Sequence, residues 1–150
     1  MGGVHDFDGD TLVDTIATVL DGDDSDVAAM TGPEAADELD CLFALQRRLD
    51  ARITAVARRW EQSGEWALDG SRSAAARLAR DQHLAKASSR KTLCRGSSLS
   101  EMPATTDAFN SGRLTADFVD LLARVNTTGR AEQFARDEQV LVDEIAGLRY

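Results

Sequence analysis

Residues 71–122 read SRSAAARLARDQHLAKASSRKTLCRGSSLSEMPATTDAFNSGRLTADFVDLL, and the helix punctuation in this stretch decides the fold. Ser71 or Ser73 can cap a helix running through Ala74, Ala75, Ala76, Leu78 and Ala79, because a short hydroxyl side chain accepts from the unpaired amides of a first turn. The apolar pattern loses its phase near Gln82, His83 and Leu84. A second helix is expected from about Ala85 to Leu99, with Leu84, Ala87, Cys94 and Leu99 facing inward. Late in that helix stands Gly96, where a glycine costs about 1 kcal/mol relative to alanine, so its last turn is expected to fray. Pro103 opens the next helix and Asn110, Ser111 and Gly112 close it. Thr115 then caps another, whose apolar face is read as Phe118, Leu121, Leu122 and Val125.

Toward the N-terminus, Pro33 follows Thr31 and Gly32 at a position suited to the first helical turn, with Glu34, Asp37 and Glu38 favouring the positive end of the helix dipole. The helix that starts there ends at Gly64. Its apolar residues keep a seven-residue spacing, Leu39, Ile53 and Trp60 on one row with Gln46 interrupting, and Leu42, Leu49 and Val56 on the other. Such a seam serves a core-facing stripe, a hairpin or a dimer, and three heptads do not separate these. Trp60 and Trp66 read as core and hinge residues. Toward the C-terminus, Asn126 to Gly129 form a turn before a last helix lined by Phe134, Leu141, Ile145 and Leu148. That pattern runs to Tyr150 without a cap, so residues 33–150 are expected to be a single helical domain, incomplete at its C-terminus.

Composition agrees with this punctuation. The 150 residues include 23 alanines, and only 5% are aromatic, so the sequence favours an all-α chain of about six helices. No stretch has a convincing strand pattern. Cys41 and Cys94 lie far apart without a secretory signal, which fits reduced thiols and a cytoplasmic location. Eighteen apolar residues never run together, so no membrane partner is expected.

The net charge is -9, but it is unevenly spread. Residues 1–46 hold twelve Asp and Glu and no Lys or Arg, while residues 72–95 hold seven basic residues against Asp81 alone. Residues 1–32 are read as an acidic, mobile arm with a short helix over Thr11 to Leu20. Asp6, Asp8 and Asp10 alternate as in a calcium loop, yet Thr11 stands where that loop needs Gly and Ala17 where it needs Glu. A solvated acidic tail is therefore the expectation. A further expectation is that this arm folds over the basic segment and competes with DNA.

The run ARLARDQHL followed by SSRKTLCRGSSLSEMPATTDAFNSGRLTADFVDLLARV resembles the actinobacterial domain of unknown function 222, the helical region usually found ahead of an HNH endonuclease module. The most specific parts are LSEMPA, residues 99–104, and FNSGRLT, residues 109–115. His83 stands where a turn glycine is usual, Arg77 where a tryptophan often precedes Leu-Ala, and Gly96 where a helix prefers alanine. The nuclease part of the pattern is missing. Only His5 and His83 are present, and no cysteine pair stands at ligand spacing, so neither a metal nor a cofactor is expected.

Two helices joined near Gln82 to Leu84, the second basic, are similar to a helix-turn-helix. On that reading Arg80, Lys86, Arg90, Lys91 and Arg95 contact double-stranded DNA, and the chain is a non-catalytic accessory domain of an HNH-nuclease-type protein. The rival class is a protein-interaction or oligomerisation module, with a homodimer formed through the Leu39 to Trp60 helix. Catalysis on a small-molecule substrate is not expected. Ser88, Ser89 and Ser97 near His83 lack a carboxylate partner and an oxyanion-hole signature.

Overall fold

The computed structural model describes residues 16, 17, 20, 21 and 24–148. The Asp6, Asp8 and Asp10 alternation lies outside the described residues, as does most of the expected arm and of its helix over 11–20. Among the described residues there are seven α-helices and no strand, as the alanine-rich composition requires. The chain divides into two compact units between Cys41 and Leu42, inside the longest helix, whereas composition placed the boundary at Gly32.

The first unit contributes α1 (Asp24–Ala29) and the start of α2 (Gly32–Ser63). Pro33 sits in the first turn of α2, and the backbone N–H and hydroxyl of Thr31 donate to the Glu34 carboxylate at 2.8 and 2.7 Å. The backbone N–H of Thr31, then its hydroxyl, hold the Glu34 carboxyl below its ordinary pKa. This arrangement satisfies donors that a helix start leaves over.

The second unit holds the rest of α2, a 3₁₀ turn at Glu65–Ala67, and the helices α3 (Ala74–Asp81), α4 (Lys86–Leu99), α5 (Pro103–Asn110), α6 (Ala116–Val125) and α7 (Ala131–Gly147). The expected punctuation is in place. Gly64 and Gly112 take positive φ just past α2 and α5. Ser73 Oγ accepts from the Ala76 amide at 3.1 Å, and Thr115 Oγ1 from the Phe118 amide at 3.3 Å. His83 is the one non-glycine residue with positive φ among those described, at 53°, in the turn between α3 and α4.

Two apolar clusters organise this unit. The larger one gathers Ala51 of α2 with Met102, Ala108, Phe109, Leu114, Val119, Leu122, Phe134 and Val142 from α5, α6, α7 and their connections. The smaller joins Ala57, Ala74 and Leu93, flanked by the half-buried Trp60, Trp66 and Leu78. Several inward faces differ from the pattern expected. In α4 the buried residues are Ser89, Leu93, Arg95 and Gly96, while Leu84, Ala87 and Cys94 are exposed and Leu99 is half-buried. In α6 they are Val119, Asp120 and Leu122, with Leu121 and Val125 turned out. In α7, Glu138 and Val142 join Phe134 inside, and Leu148 is exposed.

Gly96 explains why the α4 pattern misleads. A Cβ at this position would lie 2.9 Å from Cβ of Arg58 and 3.3 Å from the Thr54 carbonyl oxygen, so α2 and α4 approach at a distance that only glycine allows. Small residues therefore line the contact, and periodicity counted on large apolar residues assigns the wrong face.

Candidate functional site

The five basic residues expected to face DNA do not form one surface. Arg95 is turned inward and only 8% exposed. Its Nε and Nη2 donate to the two carboxylate oxygens of Asp120 at 2.8 and 2.9 Å, and its Nη1 donates to Thr54 Oγ1 at 3.5 Å. A bidentate pair of this kind uses the donor fork that would otherwise grip a phosphate or a guanine, so the expectation that Arg95 contacts DNA is corrected. It is a strut between α4, α6 and α2.

Lys91 reaches the same carboxylate, its Nζ lying 3.1 Å from Asp120 and 3.0 Å from Asp117. Asp117, then Asp120, raise the Lys91 pKa above its ordinary value. Arg80 is bound to Asp69 and Asp81, and Arg77 closes the same cluster by bonding to both. Hydrogen bonds from Ser71 and then Arg80 hold the Asp69 carboxyl well below the usual carboxylate range. Lys86 and Arg90, in contrast, are exposed on α4 and have no carboxylate within ion-pair distance among the described residues. The two basic rows thus diverge, Lys86 and Arg90 pointing to solvent while Lys91 and Arg95 turn toward α6.

The larger anomaly lies on α2. Its core-facing residues in the second unit are small, namely Ala51, Thr54 and Ala57. Its large aliphatic residues, Leu42, Leu45, Leu49, Ile53 and Val56, are all exposed, Leu49 by 45% and Ile53 by 49%. At 100° per residue these five fall within an arc of about 80°, centred about 140° away from the buried trio. Of the seam, Trp60 packs against the smaller cluster, as the core-facing alternative expects, whereas Leu42, Leu49, Ile53 and Val56 do not face the protein's own core. They belong to a second apolar face pointing outward, and contiguous patches of this kind mark contact surfaces in soluble proteins.

The charge of α2 changes along its sequence. Between Gly32 and Gln46 the helix carries Glu34, Asp37, Glu38 and Asp40 and no cation, and from Arg47 onward it carries five arginines against Asp50 and Glu61. Arg47 is drawn inward, its Nε donating to the Gly112 carbonyl at 2.9 Å. Arg58 bonds to Glu61 at 2.8 Å. Arg48 and Arg59 are exposed.

Two buried acids escaped sequence reasoning. Asp120 holds Arg95, and Glu138 accepts from the backbone N–H and the hydroxyl of Thr105, both at 2.8 Å, fastening α7 to the first turn of α5. The only signal for either was a carboxylate lying within an apolar helical stripe, Asp120 between Val119 and Leu122, and Glu138 between Phe134 and Val142. Among the described residues no helix is long and apolar enough to cross a membrane.

The family model described as "Domain of unknown function (DUF222)" matches residues 36–147. No curated protein and no solved structure matches the chain.

Proposed function

Because this chain belongs to the domain of unknown function 222 family over most of its length, and that family prescribes no reaction, we propose its function from its surface: it is a self-associating helical interaction module. The observation that carries this reading is the reversal on α2, small residues inward and Leu42, Leu45, Leu49, Ile53 and Val56 outward. A face with heptad spacing finds its natural complement in another helix of the same period, and a second copy supplies one.

About half of each of these side chains is exposed, so covering one contributes on the order of 1 kcal/mol. Five such residues on each of two protomers contribute on the order of 10 kcal/mol, comparable to the cost of association of about 4–15 kcal/mol. The expected product is a concentration-dependent dimer.

The second reading is the DNA-facing accessory domain of an HNH-nuclease-type protein. Lys86 and Arg90 favour it, being exposed cations without ion-pair partners among the described residues. Against it stand the carboxylates that occupy Arg80, Lys91 and Arg95.

Analytical ultracentrifugation across a concentration series, run beside gel retardation of random duplex DNA at low salt, separates the two. Self-association that Leu49→Lys weakens about a hundredfold or more, with unchanged circular dichroism, supports the module, because the two-fold pairing buries the new charge twice. A monomer at every concentration overturns it. Retardation abolished by Lys86→Ala and Arg90→Ala moves the assignment to DNA.

A further inference from the structure

We infer that the cleft where α2, α3 and α4 meet, within the second unit, binds a phosphoryl oxyanion. The cleft measures about 200 Å³, and its walls include Arg58 and Glu61 of α2, Ser73 and Ala74 at the start of α3, and Arg90 and Ser97 of α4. Residues 90, 93 and 97 recur on one face of α4 at helical spacing. Gly96 lets the stem of Arg58 lie against the same helix, since a Cβ there would stand 2.9 Å from the Arg58 Cβ. Two guanidinium groups from two helices are thereby brought to one cleft.

The walls are rich in donors that the protein does not engage. Arg58 commits Nη1 to Glu61 at 2.8 Å, while its Nε is shielded from solvent and has no hydrogen-bond partner among the described residues. The Nε and Nη2 edge is the one Arg95 uses to hold Asp120, and in Arg58 it is unengaged. Arg90 is exposed and has no carboxylate partner among the described residues. The hydroxyl of Ser73 accepts from the Ala76 amide and keeps its own proton to donate. The first intrahelical bond of α3 is from Arg77 to Ser73, so the Ala74 and Ala75 amides add further donors at the positive end of the helix. Against these, Glu61 is the one carboxylate among the lining residues.

A donor-lined cleft with two positive charges and one negative calls for a compact guest with several acceptor oxygens and a negative charge. Guanidinium forks match phosphoryl oxygens. Beneath them, Ala74 and Leu93 are 5% and 4% exposed and belong to the smaller apolar cluster, and an apolar floor strengthens the attraction. The volume is below the roughly 300–1,000 Å³ typical of sites for drug-sized ligands, so the phosphoryl group enters and whatever carries it stays outside. Free phosphate and the phosphodiester backbone of a nucleic acid both present this chemistry.

Isothermal titration calorimetry of the full chain with inorganic phosphate, at ionic strength fixed with chloride, tests the site beside retardation of duplex DNA. The expected result is one phosphate per chain, weakened about tenfold or more by Arg58→Gln and by Arg90→Gln. Arg136→Gln, at an exposed arginine of α7 that does not line the cleft, should change binding by less than about twofold. Should Arg58→Gln disturb folding by releasing Glu61, Arg90→Gln carries the test, with circular dichroism as the check. Saturable phosphate binding with this pattern supports the site with a free phosphate as guest. Retardation of DNA that Arg58→Gln and Arg90→Gln abolish and Arg136→Gln spares, without binding of inorganic phosphate, supports it with the nucleic-acid backbone as the source. No binding in either arm, or binding that Arg90→Gln leaves unchanged, overturns it. The self-association reading stands apart from all of these outcomes, because sedimentation decides it.

Discussion

Phe109 in α5 and Ile53 in α2 are both large apolar side chains within helices, yet Phe109 is wholly buried and Ile53 is half in water. Around Phe109 the arrangement is that of an ordinary core, with Leu114, Val119, Leu122 and Val142 turned inward together. On α2 the order is inverted, and the residues that meet the core are Ala51, Thr54 and Ala57. The difference shows that α2 has two unlike faces. Its inner face is kept small so that α4 can come close at Gly96, and its outer face carries the bulk. A helix adapted only to its own core would place the leucines inside.

The largest expected effect is a direct measurement of that contrast. Phe109→Ala should lower the free energy of unfolding by about 3–5 kcal/mol, because it removes a packed ring and leaves a cavity. Ile53→Ala, measured in dilute protein where monomer dominates, should change it by no more than about 0.5 kcal/mol. Urea unfolding followed by circular dichroism reads both as midpoint shifts. A loss at Ile53 comparable to that at Phe109 would mean the outer face is covered within the monomer, and the contrast would disappear.

The same contrast runs along α4 between Arg90 and Arg95. Arg95→Met removes one partner of a buried pair and leaves Asp120 charged inside. The usual cost is about 3–5 kcal/mol, and the lower end is expected because Lys91 remains 3.1 Å from the same carboxylate. Adding Asp120→Leu should recover most of it, since a buried pair replaced by apolar residues is often neutral. Arg90→Ala should have little effect on stability. If Arg95→Met were as mild as Arg90→Ala, the inward pair would not be holding α4 to α6.

Much of the fold was legible because local rules fixed it. Proline at the start of α5, the caps at Ser73 and Thr115, and the glycines after α2 and α5 act over four residues or fewer, and each falls where the sequence put it. The candidate site was less legible because its partners are distant in sequence. Nothing near Arg95 announces that Asp120, twenty-five residues on, will occupy it. A count of local positive charge treats it as free, and the same is true of Arg80 with Asp69. The seam on α2 was visible as a period but not as a direction. Heptad spacing states that residues share a face without stating which way the face points, and only the small trio on the opposite side decides it.

Gly96 joins these points and gives the smallest of the expected effects. As a lone helix glycine it should gain from replacement, since Gly→Ala at an unstrained helical position stabilises by about 0.4–1 kcal/mol. The contact with α2 reverses the sign. A new Cβ would meet the Arg58 Cβ at 2.9 Å, an atom fixed to the backbone and unable to swing aside, and overpacking of this sort costs about 1–3 kcal/mol. Gly96→Ala should therefore destabilise by about 1 kcal/mol net. Arg58→Ala should fail to rescue it, because alanine keeps the offending Cβ, whereas Arg58→Gly removes that atom and should show favourable coupling to Gly96→Ala in a double-mutant cycle. A stabilising Gly96→Ala would mean that α2 and α4 stand further apart, and with that the reason for the small inner face of α2, and for the bulk displaced to its outer one, would be gone.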